Sequence, residues 1–224
     1  MKILALDTAT EACAVAVTID GDSTERLVMG RQHAERILDL IDELLAEAGL
    51  RPTELDAIAF GRGPGMFTGL RIGAGVTQGI AFAADLPVVP VSTLLALAQG
   101  QTADRILAAL DARMGQVSWG CYERGDDGFM VPVTDERVEA PEILVPPDGS
   151  WAGAGSGWDQ YAAELLPRLQ SRIASWQAQA FPSAVDVARL GERDAIQGKA
   201  ISAELALPVY VRDDVARKSA RQGS

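Results

Sequence analysis

The stretch GRGPGMFTGLRIG, residues Gly61 to Gly73, is the most informative part of this sequence. Three glycines and a proline in its first five residues predict a turn, and an apolar helix from about Thr68 to Ala84 follows at once. Arg71 is the only charged residue of that helix before Asp85, and a helix that is apolar nearly all round is buried on most sides. We therefore expect one side to pack on the domain's own sheet and another to pack against a partner protein, although a core helix of a large domain would show the same pattern.

The glycines inside this helix support the partner interpretation. Each interior glycine costs about 1 kcal/mol relative to alanine, so close packing is expected to offset the cost. The spacing of four residues within each pair favours a helix-on-helix contact, as in the small-residue motif of membrane helices, but the apolar run is interrupted and too short for a membrane segment. The two pairs are Gly69 with Gly73 and Gly75 with Gly79.

Composition places the chain among globular proteins and argues against independent nucleic-acid binding. The 224 residues are 48% hydrophobic and 23% charged, which is ordinary for a globular protein. The net charge is −11, and both halves of the chain are acidic, so the surface would repel a phosphate backbone. No signal peptide is indicated. A basic cluster occurs in the tail, at Arg212, Arg217, Lys218 and Arg221, where a solvated terminus is the simplest interpretation.

The order of apolar runs predicts an α/β protein with a coarse internal repeat. Each half opens with an apolar strand, a turn that begins with aspartate, and a second apolar strand; the turns begin at Asp7 and Asp111. A change of composition near Gly100 to Asp104 suggests a domain boundary. The other predicted strands are 25–30, 55–60, 86–91 and 207–212, and the other predicted helices are 33–48, 92–98, 158–169 and 183–197. Cys13 and Cys121 fall in apolar strands and are expected to be inert buried thiols.

Several of these segments together resemble the TsaB family, also called YeaZ. The matching segments cover essentially the whole chain, and the glycine signature followed by the aspartate-arginine turn is far more specific than a lone glycine motif. Met66 departs from the family, which usually has serine there, so a hydroxyl is missing near the helix start. The segments that carry the resemblance are 3–13, 32–38, 61–73, 110–117 and 208–212.

The resemblance implies an actin-like ATPase fold of two related mixed-sheet domains with flanking helices, at residues 1–100 and 101–224. It further implies a cytoplasmic role in forming N6-threonylcarbamoyladenosine, the modified adenosine 3′ of the anticodon in tRNA. In the family, the transferase TsaD carries out the transfer, TsaB is its non-catalytic partner, and the ATPase TsaE joins them. TsaB also forms homodimers through the same helical face, and tRNA is expected to be met only through the complex.

On this basis the helices 33–48 and 68–84 are expected to form the face that pairs with the transferase. Arg71 would pair with an acidic group across the interface, and the glycines would let the helices approach each other. The residues expected at this interface are His33, Arg36, Ile37, Leu40, Gly69, Arg71, Ile72, Gly73 and Val76.

A vestigial nucleotide cleft is expected at Asp7, Thr8, Asp111 and Gly155. The side chains of Arg113 and Met114 would hinder the close approach of phosphates to the backbone, so weak or no ATP turnover is expected. No tightly bound cofactor or metal is expected, since the single histidine cannot form a helical pair of ligands, although ATP or ADP could bind at the partner interface. An ATP-dependent kinase or hydrolase of the same fold is the alternative, whereas a peptidase lacks a credible catalytic set.

Overall fold

The first sheet is mixed and contains five strands in the order β3-β2-β1-β4-β5. A computed structural model describes residues 1–30 and 32–211 of the chain. Three antiparallel strands come first, and two strands parallel to β1 extend the sheet on its other side. The five strands are β1 (Lys2–Asp7), β2 (Ala12–Ile19), β3 (Asp22–Met29), β4 (Ala57–Gly63) and β5 (Val88–Ser92).

Helices cover both faces of this sheet. Helices α1 (His33–Ala48) and α2 (Phe67–Ala84) lie side by side on one face, where they share a core with the even-numbered side chains of β1, such as Leu4. The odd-numbered side chains of β1, such as Ile3, point to the opposite face and contact helix α5 (Ala184–Ile196). The alternation of side chains along a strand therefore divides one apolar run between two layers.

The second sheet has the order β11-β10-β6-β7-β8, and β9 also pairs with β7. Helix α4 (Ser156–Leu169) packs on one face with three buried tryptophans, and helix α3 (Thr93–Gln99) packs on the other. The strands are β6 (Arg105–Asp111), β7 (Val117–Arg124), β8 (Met130–Pro132), β9 (Arg137–Glu139), β10 (Trp151–Ala154) and β11 (Ile173–Gln177).

Two helices cross between the halves of the chain. Helix α3 precedes residue 100 but packs on the second sheet, whereas α5 comes from the second half and covers the first sheet. The chain then stays with the first sheet, because Ile201 forms a bridge to Val88 and the N–H of Val209 donates to the carbonyl of Arg62. Packing thus crosses the predicted division at residue 100 in both directions.

Most predicted elements are present, and one is not. Ser92 caps α3 as predicted, since its hydroxyl accepts a hydrogen bond from the N–H of Leu95 at 3.1 Å. The predicted strand 207–212 is wrong: residues 206–210 have no regular structure, and the Val209 bond is an isolated link to β4. Arg212 and the basic tail lie outside the described residues. In the part of the chain that the model covers, no helix combines the length and apolar character needed to cross a membrane.

Candidate functional site: the interdomain cleft and the outer face of α2

Asp7, at the end of β1, is sealed inside the protein. Its carboxylate accepts hydrogen bonds from the N–H of Ala9 at 2.9 Å and from the hydroxyl of Thr93 at 3.2 Å. Gly61 lies so close that a Cβ at this position would collide with the Asp7 carboxylate. Burial disfavours the charged form more than the two hydrogen bonds favour it, and the pKa of Asp7 is raised from 3.8 to about 7. The carboxylate that the sequence assigned to the cleft is therefore covered by β4.

The start of α2 packs directly onto the turn after β1. The hydroxyl of Thr8 donates to the carbonyl of Gly69 at 2.8 Å, and a Cβ at Gly73 would lie only 2.5 Å from that hydroxyl oxygen. A Cβ at Gly65 would collide with Ala9, whose carbonyl accepts a hydrogen bond from the Met66 N–H at 2.7 Å. The glycine signature is thus explained by contact with the chain's own β1–β2 turn.

The second aspartate turn is held by side-chain contacts. The carboxylate of Asp111 accepts hydrogen bonds from the hydroxyl of Tyr161 at 3.0 Å and from the N–H of Arg113 at 2.8 Å. Arg113 and Met114 adopt left-handed backbone angles, with φ of 62° and 56°, although neither is a glycine. The Arg113 guanidinium then reaches across the cleft to within 3.6 Å of the Glu11 carboxylate in the first half.

A cleft of about 380 Å³ lies between these two turns. Three carboxylates, Glu11, Asp111 and Asp159, line it together with the single guanidinium of Arg113. This excess of negative charge in the lining of the cleft opposes the binding of phosphate groups. Of the four residues predicted for a nucleotide cleft, Asp111 is among the lining residues, while Asp7, Thr8 and Gly155 are buried beside it.

Gly155 has a packing role in the described structure. Its φ is +109°, and a Cβ there would collide with the carbonyl of Ala109 and lie 2.8 Å from Leu97. The loop 153–157 therefore forms a tight strand-to-helix turn that brings α4 onto β6. In the described residues, no group of three histidine, cysteine or acidic side chains is arranged to hold a metal ion.

The glycines of α2 divide between two sides of the helix. Gly69 and Gly73 are buried and face the turn after β1. Gly75 and Gly79 are exposed on the outer side, and a Cβ at either would find no atom within 4 Å. Phe82 extends the same outer side and is 82% exposed, which is unusual for a large aromatic side chain.

Five of the nine residues predicted at the partner interface are covered by the chain itself, so in this structure they lie beneath the outer surface of α1 and α2, and their part in an interface stays a prediction. His33 is buried, with its Nε2 2.9 Å from the carbonyl oxygen of Thr10. Ile37 and Leu40 belong to the core beneath α1 because they face the sheet. The other two are the inward glycines, Gly69 and Gly73.

The remaining four predicted residues are accessible to solvent. Arg71 is exposed, while Arg36, Ile72 and Val76 are half-buried. Three further large apolar side chains are exposed on the outer sides of α1 and α2, and none of them was among the predicted interface residues: Leu38, Phe67 and Phe82. Leu38 could have been noticed because it interrupts the three-four spacing of the apolar stripe in α1.

Arg71 links α2 to the C-terminal part of the described chain. Its guanidinium lies 3.8 Å from the centroid of the Phe67 ring, and its Nε donates to the hydroxyl of Tyr210 at 3.1 Å. The rings of Phe67 and Tyr210 are 5.4 Å apart between centroids. Residues near 210 are therefore held along the outer side of α2 at its first turn.

The protein has the actin-like ATPase fold. Two features define it: two mixed sheets with helices on both faces, and an aspartate turn from each half at the cleft between the sheets. Component A of (R)-2-hydroxyglutaryl-CoA dehydratase from Acidaminococcus fermentans shares this fold at 10% identity, with a TM-score of 0.50 over 88% of this chain and 99% of that one. The family model of TsaD, tRNA N6-adenosine threonylcarbamoyltransferase, matches residues 27–149.

Closer relatives identify the family. The tRNA threonylcarbamoyladenosine biosynthesis protein TsaB of Escherichia coli is 40% identical over 97% of both chains. The structure of YeaZ from Pseudomonas aeruginosa is 44% identical, with a TM-score of 0.86 over 93% of this chain and 99% of that one. The chain therefore belongs to the TsaB family.

Proposed function

We propose that this protein is a non-catalytic partner subunit in the formation of N6-threonylcarbamoyladenosine in tRNA, and that it pairs with a TsaD-like transferase through α1 and α2. The observation that carries the proposal is the exposed apolar outer side of α2, which includes Phe82 and the open positions Gly75 and Gly79. The biosynthetic name of the Escherichia coli relative and the match to the TsaD family model support it. Pairing of two related folds would hold the transferase in an active arrangement.

The described side chains are poorly suited to catalysis of their own. Asp7 is sealed by Gly61, and the cleft beside it carries more carboxylates than basic groups, which disfavours the kinase or hydrolase alternative. A peptidase would need a nucleophile activated by a base. Burial raises the pKa of Cys13 to about 11 and that of Cys121 to about 12. Both thiols are buried and unpaired with each other, as predicted.

The wider assembly follows from the same proposal. A TsaE-like ATPase would join the pair, tRNA would be met only through the complex, and the protein would act in the cytoplasm. A homodimer would use the same face of α1 and α2 in the absence of the transferase. The place proposed for ATP or ADP is the partner interface, where the partner completes the site.

The first experiment is light scattering after size exclusion, on the chain alone and mixed with its cognate transferase. The expected result is a one-to-one complex that Phe82→Glu abolishes, because the substitution places a charge in the apolar face. Ile196→Glu is the matched control, since Ile196 ends α5 on the other side of the first sheet and is 74% exposed. A chain that does not bind the transferase, or a complex that tolerates Phe82→Glu as well as the control, would refute the proposed face.

Calorimetric titration with Mg·ATP separates the partner role from the kinase or hydrolase alternative. We expect no saturable heat for the isolated chain. Saturable binding that Asp7→Ala abolishes, while the variant keeps its native circular dichroism spectrum, would instead support the catalytic alternative.

A further inference from the structure

Glu136 has contact partners in both halves of the chain. It lies between β8 and β9 in the second half, and its side chain is only 16% exposed. Its carboxylate accepts a hydrogen bond from the hydroxyl of Tyr122 on β7 at 3.1 Å and another from the hydroxyl of Ser92 in the first half. The other carboxylate oxygen lies 3.7 Å from Nη2 of Arg62, also in the first half. One nearly buried carboxylate therefore connects the two sheets.

The two partners in the first half lie on the neighbouring strands β4 and β5. Arg62 belongs to the glycine signature at the end of β4, and Ser92 ends β5, where the strand register pairs it with Gly63. The Ser92 hydroxyl accepts the N–H of Leu95 to cap α3, and its single proton is donated to Glu136. The arginine of the signature therefore has a contact of its own with the second half.

Tyr122 holds the Glu136 carboxylate from the second half. Its side chain is buried, and burial, followed by the charge of Glu136, raises the pKa of its hydroxyl above the usual 10. The hydroxyl therefore stays protonated and donates to the carboxylate. A carboxylate that has lost most of its water needs several donors. Moving the halves apart would break the contacts with Ser92 and Arg62 and leave the carboxylate with Tyr122 alone.

We propose that Glu136 holds the two halves in one relative orientation, so that the width of the cleft does not depend on a ligand. Helices α3 and α5 cross between the halves and contact each other, and two parts of a chain joined in this way can rotate about the joining elements. Such a rotation would displace Glu136 and Tyr122 relative to Arg62 and Ser92. The inference does not rest on the proposed function, because it concerns the isolated chain.

A second ion pair joins the halves across the cleft, but it is exposed. The side chains of Arg113 and Glu11, which approach to 3.6 Å, are 56% and 54% exposed. Exposed ion pairs contribute little to stability, because water and salt screen them. The nearly buried Glu136 is therefore expected to hold the halves more strongly than Glu11 does. The Glu11 pair provides a control of the same chemical type.

The test is the distribution of distances between two spin labels, one on each half, measured by pulsed electron paramagnetic resonance. The labels are attached through Leu27→Cys on β3 and Glu164→Cys on α4, since both positions are exposed. The native thiols of Cys13 and Cys121 are buried and should not react. We expect one narrow distribution, which Glu136→Ala broadens by about twofold or more, because domains of one chain move relative to each other when few contacts hold them.

Two milder variants keep the inference testable if Glu136→Ala does not fold. Glu136→Gln removes the attraction to Arg62 and keeps the shape of the side chain, while Arg62→Gln removes the same attraction from the other half. Each should broaden the distribution, but by less than Glu136→Ala. The double variant should broaden it no more than either single variant, because both substitutions remove one and the same interaction.

Two controls separate the orientation of the halves from general stability. Glu11→Gln removes the exposed ion pair, and Leu144→Ala weakens the core of the second half. Both should leave the width of the distribution unchanged. A broad or two-component distribution in the labelled protein with Glu136 intact would overturn the inference. So would Glu136 variants whose distributions are no broader than those of the two controls.

Discussion

The buried carboxyl of Asp7 makes the stability of the protein depend on pH in a way that Asp7→Asn should remove. The asparagine has nearly the same shape, so it keeps the close contact with Gly61. Its side-chain oxygen can accept the Ala9 N–H, and its amide nitrogen can donate to the hydroxyl of Thr93 in place of the bond observed at 3.2 Å. The substitution therefore removes the charge and preserves the packing.

The sign follows from the direction of the pKa shift. The pKa of the Asp7 carboxyl rises from 3.8 to about 7 on folding, so the native state binds the proton more tightly than the unfolded state does. The contribution of Asp7 to stability is therefore greatest below pH 4, falls as the pH rises towards 7, and is constant above that. At about 1.4 kcal/mol for each pKa unit, the loss across this window is about 4 kcal/mol at most.

Urea unfolding of both proteins at pH 4 to 8 tests this reasoning. The two free energies of unfolding should be nearly equal at pH 4, and Asp7→Asn should become the more stable protein by up to about 4 kcal/mol at pH 8. Asp186→Asn is the control: burial raises the pKa of Asp186 to about 6, so the gain from that substitution should stop near pH 6. A difference between Asp7→Asn and the original protein that does not change with pH would refute a buried, protonated Asp7.

Three further predictions concern the glycines, the start of α2 and the thiols. Gly73→Leu should lower the melting temperature by about 5 to 10 °C, because the added side chain meets Leu6 and Thr8 at the end of β1. Gly75→Leu should melt like the original protein and fail to bind the transferase. Equal melting of the two variants would refute the division of the glycines. Met66→Ser should stabilise the protein by about 1 kcal/mol in urea unfolding. Met66 occupies the N-cap position of α2, where its side chain forms no capping hydrogen bond, and a serine hydroxyl could form one. An unchanged unfolding midpoint would show that the hydroxyl does not cap the helix. Cys13 and Cys121 should react with a thiol reagent only after denaturation, since burial raises the pKa of both; two equivalents reacting in the native protein would contradict this.

Elements that are encoded locally could be predicted from the sequence. The apolar stripe of α1 has a three-four spacing, and Gly49 adopts the left-handed conformation at its end. The cap of α3 by Ser92 was equally predictable, because capping depends on residues within one turn. The resemblance to one family, which spans the chain, supplied the fold class that these local patterns leave open.

Residue placement within the candidate site was harder to predict. The glycines of α2 look equivalent in the sequence, but Gly73 meets β1 whereas Gly75 meets solvent. Successive residues of a helix point about 100° apart, so Gly73 and Gly75 lie on different sides of α2. Because α2 is apolar nearly all round, its sequence has no polar side that would show which side faces the solvent. The burial of His33 and Leu40 was hidden for a related reason, since the apolar side of α1 that covers the sheet looks like an apolar interface until that sheet is known.

Most of the strands and helices follow from local sequence patterns, because hydrophobic period, capping and turn residues act over a few neighbours, and the family follows from the resemblance that spans the chain. Three features become visible only when the chain is folded: α3 and α5 each pack on the sheet of the other half, Gly61 covers Asp7, and α2 presents Phe82 outward. These features depend on contacts between residues far apart in the chain. Burial, and with it the raised pKa of Asp7, is set by what surrounds a side chain rather than by its neighbours in sequence.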